Sequence, residues 1–235
     1  MPDAFDQTII SPVFTEERTQ TAPLPHWGRE AIYRLGQQWW LKTIGITAFM
    51  FAFFSAYIYL LRHAFFPVTL MPLTTIDRLV PFQPDWLPVY ASLWVYVSLP
   101  PGLLKTRREL YYYGAVVGSL CLAGLGIFLL WPTAIPTAEI DWGQFPGFAT
   151  LKGIDAAGNA CPSLHVATAV FSAFWLQRLI SEIRAPQQLN YVNWLWCIAI
   201  AYSTLATKQH VMLDVMGGTV LGLLAAFLSL RFTRR

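Results

Sequence analysis

Three ionisable residues in the second half of the chain have the types and spacing of a catalytic group. His210 and Asp214 are four positions apart, so on a helix they lie on one face, one turn from each other. That spacing lets the carboxylate accept the Nδ1–H of the imidazole and leaves Nε2 as a nucleophile or base. A second histidine, His165, lies in the run CPSLH, which opens directly into an apolar segment. The sequence therefore predicts a histidine oriented by an acid, with another histidine as its partner.

The residues around His165 indicate the start of a helix. Pro162 and Ser163 are typical of a helix entry, with Ser163 as the N-cap and His165 in the first turn. The N–H groups of such a turn, together with the positive end of the helix dipole, make an anion site that suits phosphate. A histidine in that position can donate a proton to a leaving oxygen. This pattern favours phosphoryl chemistry, whereas His63 and His26 are expected to be an interface residue and an ordinary residue of the N-terminal segment.

The elements that must position these residues are strongly apolar. Of the 235 residues, 55% are hydrophobic and 12% are charged, and the mean hydropathy is +0.46. An ordinary soluble domain is about one quarter charged, so the composition indicates a membrane protein. Crossing a bilayer takes about 20 apolar residues. Six runs approach that length, and they predict an all-α integral membrane bundle of six transmembrane helices: 43–61, 86–104, 111–131, 164–180, 191–206 and 212–230.

The chain divides into a cytoplasmic N-terminal segment, residues 1–42, and a six-helix membrane domain, residues 43–235. Tryptophans alternate with basic residues from His26 to Lys42, a pattern typical of an interfacial helix. A flexible tail with chance aromatic residues is the alternative interpretation of that piece. The order of residues at the N-terminus does not resemble a cleaved signal sequence.

The basic residues predict the orientation of the bundle. With six spans, 12 of the 16 Lys and Arg residues fall on one side and four on the other, which places both termini in the cytoplasm. The site residues then lie on the outer face, and we expect a bacterial inner membrane with the site facing the periplasm. The larger set is Arg18, Arg29, Arg34, Lys42, Lys105, Arg107, Arg108, Arg178, Arg184, Arg231, Arg234 and Arg235, and the smaller set is Arg62, Arg78, Lys152 and Lys208.

Charge and cysteine usage exclude some classes of partner. The net charge of +3 follows from the loops of the membrane topology and indicates no nucleic-acid partner. Cys121 and Cys197 fall inside predicted spans, and only Cys161 is near an aqueous face. The three cysteines therefore imply neither a disulfide framework nor a metal site.

The motifs resemble those of the type 2 phosphatidic acid phosphatase superfamily. The resemblance rests on Pro162-Ser163-x-His165, then Ser203, then His210-x-x-x-Asp214-Val215 and Gly217-Gly218. At Leu164 the family more commonly has glycine, which makes the chain more similar to the branch that contains inositol phosphorylceramide synthases and their bacterial relatives.

The resemblance implies a role for each of the three ionisable residues. His210 would attack phosphorus and become a phosphohistidine, Asp214 would hold the ring of His210, and His165 would protonate the leaving oxygen. It also implies six membrane helices, and neither a metal ion nor a cofactor.

The chain departs from the family at its phosphate-binding arginines. The family's first motif, a lysine followed seven positions later by Arg-Pro, is absent before the middle motif. Thr204 stands where an arginine usually follows the serine of the last motif. Lys208 is the nearest replacement cation on the outer face, with a solvated loop residue as the alternative interpretation, and Lys152 is the second. Backbone N–H groups near Ser163 would complete the phosphate site. Thr204 could donate a hydroxyl group, although helix packing is its alternative role.

The function expected from these features is removal of phosphate from a membrane lipid phosphate through a phosphohistidine intermediate. Phosphatidic acid, phosphatidylglycerol phosphate and isoprenyl pyrophosphates all fit a site at the membrane interface. Transfer of a phosphoryl group or phospho-headgroup to an alcohol is the first alternative. A transporter with a His–Asp proton relay and an inactive lipid-binding relative are further alternatives. The sequence leaves the oligomeric state open.

Overall fold

Helices occupy all six of the predicted apolar runs. The computed structural model describes residues 25–145, 147–148 and 158–233. The second run is broken near Ser92 into two helices, and a short extra helix lies in the loop before it. Among the described residues, the helices are α1 His26–Gly36, α2 Trp39–Arg62, α3 Thr75–Leu79, α4 Leu87–Ala91, α5 Leu93–Leu103, α6 Arg107–Leu130, α7 Leu164–Glu182, α8 Gln188–Ala206 and α9 Met212–Thr233.

Two very short strands depart from the all-α prediction. The strands β1, Thr69–Leu70, and β2, Thr133–Ala134, pair in parallel just after α2 and α6. One-turn 3₁₀ helices cover Pro84–Trp86 and Trp142–Gln144. The strand pair connects the segments that follow α2 and α6, so the C-terminal ends of these two helices lie on the same side of the bundle.

Three of the described helices are long and apolar enough to cross a membrane. They are α2, α6, and α9 as far as Arg231. The central helix α7 packs against α5, α6, α8 and α9 and buries most of its side chains. A helix enclosed by its neighbours has little contact with lipid, so its composition resembles a protein core. Six spans therefore remain a prediction, of which three have the required length and composition.

The bundle has two chemically different ends. At the basic end, the Arg34 guanidinium pairs with Glu182 at 3.2 Å, and the Lys42 ammonium donates to the Gly102 carbonyl at 2.7 Å. At the opposite end, here called the strand end, β1 pairs with β2, and the Asn159 amide donates to the Tyr57 carbonyl at 3.1 Å. The starts of α7 and α9 lie at the strand end.

The predicted interfacial helix is shorter than expected. It ends at Gly36, and Gln38 adopts a left-handed conformation with φ of 53°. That residue breaks the chain between α1 and α2, so α2 begins at Trp39, four residues before the predicted first span. Residues 1–24 of the predicted N-terminal segment lie outside the described residues.

Glycines bring α9 very close to α7. A Cβ atom at Gly218 would overlap the backbone carbonyl oxygen of Ser163, and one at Gly222 would lie 2.5 Å from the Ala167 carbonyl oxygen. Only a residue without a side chain permits this approach of the two backbones. The contact places the first turn of α7 beside the first turn of α9.

Candidate active site

The first turn of α7 has the predicted cap. The Ser163 hydroxyl accepts a hydrogen bond from the Val166 N–H at 3.3 Å, and Ser163 is fully buried. Its own N–H donates to the Asp214 carbonyl at 3.0 Å. Ser163 is therefore the N-cap, and it also ties the start of α7 to α9.

The imidazole of His165 lies in an aromatic cage that the sequence did not reveal. It stacks on Tyr90, with 4.3 Å between ring centroids and 14° between planes, and meets the Trp94 ring edge-on at 5.7 Å. Its Nε2 atom is buried and has no hydrogen-bond partner among the described residues. The cage fixes the ring of His165 and keeps a polar atom available for another molecule.

His210 is held by the turn that ends α8. The Lys208 N–H donates to the Leu205 carbonyl at 3.1 Å and the Gln209 N–H donates to the Thr204 carbonyl at 3.0 Å, which is a Schellman motif. The His210 N–H donates to the same Thr204 carbonyl at 3.1 Å. The helix α9 begins only at Met212, so His210 lies before the helix. The prediction that one helical face carries both His210 and Asp214 was wrong.

Asp214 nevertheless faces His210. Its Oδ2 atom lies 3.4 Å from Nδ1 of His210 and accepts a hydrogen bond from the Val211 N–H at 3.0 Å. The carboxylate is fully buried and caps the start of α9 from the third helical position. At 3.4 Å the His–Asp contact is longer than a good hydrogen bond.

The two imidazoles converge on one space. The ring centroids of His165 and His210 are 6.4 Å apart, with an angle of 52° between their planes. Both line a cavity of about 660 Å³, and Asn159 and Tyr57 line the same space. The cavity continues between α2, α5 and α6 toward the basic end. The geometry allows a group between the rings to contact both histidines.

Asp77 is a site-supporting residue that the sequence interpretation missed. Its Oδ1 atom accepts the N–H of Met212, the first residue of α9, at 2.7 Å. Its Oδ2 atom accepts from the N–H and the hydroxyl of Thr74 at 2.7 and 2.8 Å, which caps α3. Thr74-x-x-Asp77 is a capping box that the sequence displays, but its long-range contact with α9 is not visible there.

Lys208 is engaged in the same junction. Its ammonium donates to the carbonyls of Asp77, at 3.1 Å, and Val80, both at the end of α3. The pKa of this ammonium is lowered by burial, and the charge of the Asp77 carboxylate opposes part of that shift. Lys208 also adopts φ of 54°, the left-handed conformation that usually requires glycine in this motif. Its described contacts thus join α3 to the turn that carries His210.

The remaining predicted binding residues have different positions. Thr204 is fully buried, and its hydroxyl donates to the Ala201 carbonyl at 2.7 Å, while its own carbonyl holds His210. Lys152 lies outside the described residues. The structure thus brings together His165, His210, Asp214 and Ser163.

The nearby thiol is not activated. Burial and the charge of Asp214 raise the pKa of Cys161 to about 11, so this thiol is protonated at neutral pH. Among the described residues, His, Cys, Asp and Glu form no group of three or more that could hold a metal ion. The histidines are therefore the nucleophile candidates that this geometry offers.

A comparison with protein families assigns the chain. The family model of the PAP2 superfamily matches residues 108–235, slightly more than half of the sequence. The chain belongs to the PAP2 superfamily. Members of this superfamily are generally phosphatases or phosphotransferases, and membership suggests a lipid-like substrate. The expected superfamily is confirmed, whereas the nearer relation to inositol phosphorylceramide synthases stays a prediction. Neither the curated proteins nor the solved structures contain a match.

The PAP2 match divides the site into two sets of residues. His165, His210 and Asp214 lie inside residues 108–235, as do Ser163, Thr204 and Lys208. The cage residues Tyr90 and Trp94 and the junction residue Asp77 lie before the matched region. The ionisable centre thus comes from the PAP2 region, and part of its support comes from the preceding helices.

Proposed function

We propose that this chain is an integral membrane enzyme that hydrolyses a lipid phosphate through a phosphohistidine intermediate. The observation that carries the proposal is the convergence of His165 and His210, with ring centroids 6.4 Å apart, at the end of a long apolar cavity. The Asp214 carboxylate, 3.4 Å from Nδ1 of His210, supplies the orienting acid. A phosphate between the rings would have its lipid chain in the cavity.

In the first step, Nε2 of His210 attacks phosphorus while the bond from phosphorus to the lipid oxygen breaks. His165 begins protonated and gives its proton to that leaving oxygen, so the lipid departs as a neutral alcohol or as a shorter phosphate. Asp214 faces Nδ1 of His210, and its negative charge stabilises the positive charge that develops on the ring.

In the second step, water attacks the phosphohistidine. His165, now neutral, takes a proton from the water as the phosphorus–nitrogen bond breaks. Phosphate leaves, His210 returns to its neutral form, and His165 is protonated again.

The start of α7 supports anion binding in the absence of the family's arginines. The first turn of α7 carries the positive end of the helix dipole, and His165 lies in that turn. At the start of α9, by contrast, Asp77 and Asp214 accept the N–H groups of Met212 and Val211. The proposed phosphate site therefore uses α7, with Ser163 as its cap. Direct roles for Lys208, Lys152 and Thr204 remain part of the proposal.

The proposed membrane arrangement follows the basic residues. The six helical passes are α2, α4 with α5, α6, α7, α8 and α9, and the chain alternates between the basic end and the strand end. Placing the basic end in the cytoplasm satisfies the positive-inside rule. Both termini then lie in the cytoplasm, and the histidines face the periplasm of a bacterial inner membrane.

The test is phosphate release by purified protein in detergent with EDTA. Substrates are phosphatidic acid, phosphatidylglycerol phosphate and isoprenyl diphosphates, and the variants are His210→Ala and His63→Ala. His63 is an exposed histidine at the end of α2 and serves as the matched control. We expect release to disappear in His210→Ala and to persist in His63→Ala. Undiminished release by His210→Ala, or no release from any substrate by the unaltered protein, contradicts the proposed hydrolysis.

Phosphoryl transfer is the second candidate, favoured by Leu164 and by the missing arginines. The phosphohistidine that water hydrolyses could equally be attacked by an alcohol. Adding glycerol or diacylglycerol to the same assay distinguishes the two reactions. A phosphorylated acceptor formed at the expense of free phosphate would establish transfer.

A further inference from the structure

Asn159 provides the only side-chain amide among the described residues that line the cavity of the histidines. The described lining contains no arginine, and its one lysine, Lys42, is at the basic end, where the ammonium donates to two backbone carbonyls. An anion between His165 and His210 therefore meets no Lys or Arg side chain from the described lining. The amide of Asn159 is an uncharged hydrogen-bond donor at the same end of the cavity as the histidines.

The strand β2 holds the backbone around Asn159. The buried Thr133 accepts the Ala160 N–H with its carbonyl at 3.3 Å and the Cys161 N–H with its hydroxyl at 2.8 Å. On the other side of Asn159, Gly158 forms an antiparallel bridge with the same strand. These contacts fix the chain both before and after Asn159, so the position of its side chain in the cavity wall is set by the backbone.

The side chain of Asn159 is buried and has donor capacity to spare. The residue is 5% exposed, and its Nδ2 atom donates to the Tyr57 carbonyl at 3.1 Å. An asparagine amide has two N–H donors, and this contact uses one of them. The other N–H group is available to an acceptor in the cavity.

His165 supplies an independent indication that a polar ligand binds at this end. Its Nε2 atom is buried and has no hydrogen-bond partner among the described residues. Buried polar atoms are nearly always hydrogen-bonded, so this atom indicates a missing partner. Asn159 and His165 line the same space, and a phosphate has enough oxygen atoms to contact both.

Resting on the proposed function, we propose that Asn159 is a phosphate-binding residue that takes part of the role of the arginines that the chain lacks. Its amide donates a hydrogen bond to an oxygen of the phosphate that lies between His165 and His210. Hydrogen bonds to a charged group are stronger than those between neutral groups, so a single amide contributes measurably to binding of the anion.

The backbone conformation of Asn159 allows its amide to be removed without strain. Asn159 has φ of 50°, a left-handed conformation that glycine adopts readily, so Asn159→Gly deletes the side chain and leaves the backbone in place. Asn159→Asp keeps the size of the side chain but replaces the donor with a carboxylate that repels phosphate. Arg184→Gly is the matched control, because Arg184 has φ of 54° and is exposed at the basic end.

The first assay measures release of phosphate from the lipid phosphates named above. Asn159→Gly should lower kcat/KM by at least about tenfold, Asn159→Asp should lower it further, and Arg184→Gly should leave it unchanged. If Asn159 only supports Tyr57, the Gly and Asp variants lose the same hydrogen bond and should lose activity equally. Equal kcat/KM in the two variants, or an unchanged value in Asn159→Gly, would overturn the proposal. Thermal unfolding in detergent checks that the variants are folded.

A binding measurement separates this proposal from the proposed reaction. Binding of ³²P-labelled inorganic phosphate to the detergent-solubilised full chain is measured by equilibrium dialysis with EDTA present. A Kd raised by at least about tenfold in Asn159→Gly, and raised further in Asn159→Asp, supports the site even if no lipid phosphate is hydrolysed. Equal binding by Asn159→Gly and Arg184→Gly, or no saturable binding by the unaltered protein, rejects the site even if His210-dependent release is observed.

Discussion

Residues 25–107 and residues 108–233 make different contributions to the site. The second region carries the PAP2 match and all three proposed catalytic side chains, His165, His210 and Asp214. The first region supplies the Tyr90–Trp94 cage, the Asp77 junction and the α2 wall of the cavity. The proposed reacting groups thus lie in one part of the chain, and part of their support comes from the other. Changes in the second region are expected to abolish the reaction, and changes in the first to weaken or redirect it.

The largest effect among changes that leave His210 intact is expected for His165→Gln. If His165 is the general acid, its removal should lower kcat/KM, which reports the formation of the phosphohistidine, by about 10²- to 10⁴-fold for a lipid alcohol leaving group. The loss should be much smaller for p-nitrophenyl phosphate, whose leaving group needs no proton. Steady-state kinetics with both substrates, compared with His63→Gln, measure the difference. An equal loss with both substrates would show that His165 acts in some other way.

A second large effect is expected for Gly218→Ala. The new methyl group would overlap the Ser163 carbonyl oxygen, so α9 must move away from α7. Asp214, which lies in α9, would then be farther from His165, which lies in α7. Overpacking of this kind costs about 1–3 kcal/mol of folding free energy, and a backbone contact relaxes poorly. Thermal unfolding in detergent and phosphate release should both decline. Gly126→Ala, where the Cβ has open space, is the control, and equal stability of the two variants would contradict the close α7–α9 contact.

A moderate effect is expected for Asp77→Ala in the first region. The substitution removes the acceptor for the Met212 N–H and the Asp77 half of the capping box of α3, so the turn that carries His210 loses one of its supports. A displacement near 1 Å can cost on the order of 10²-fold in rate. We expect kcat to fall by more than about tenfold while KM changes little.

Asp77→Asn provides the control for that prediction. The asparagine keeps an oxygen that can accept the Met212 N–H and should recover much of kcat. If kcat is unchanged in both Asp77→Ala and Asp77→Asn, or if only KM rises, Asp77 serves substrate binding or α3 stability and does not position His210.

The smallest effect is expected at the cage. Tyr90→Leu removes the ring that stacks on His165, and aromatic pairs contribute about 0.5–1.5 kcal/mol. That range corresponds to a loss of up to about tenfold in kcat/KM. Tyr90→Phe keeps the stacked ring and should retain more activity than Tyr90→Leu. If the two variants lose equally, the stacked ring is not what holds His165.

The sequence predicted the elements that depend on local patterns. The apolar runs predicted the helices, and Pro162-Ser163 predicted the N-cap, because both signals are made by residues that are neighbours in the sequence. The cage was not predictable in this way, since aromatic residues occur throughout the apolar runs and nothing local distinguishes Tyr90. Lys208 occupies a left-handed position where glycine is usual, and its contacts with α3 come from far along the chain. Such contacts depend on tertiary packing, which a local pattern does not contain.

The most direct test of the account is to trap the covalent intermediate. Purified protein is mixed with an isoprenyl diphosphate that carries ³²P in its terminal phosphate, and the reaction is quenched in alkali, which preserves phosphohistidine. The account predicts label on the protein that is lost in acid, absent from His210→Ala and present in His63→Ala. Label that persists in His210→Ala, or substrate turnover without any labelled protein, would contradict a phosphohistidine at His210.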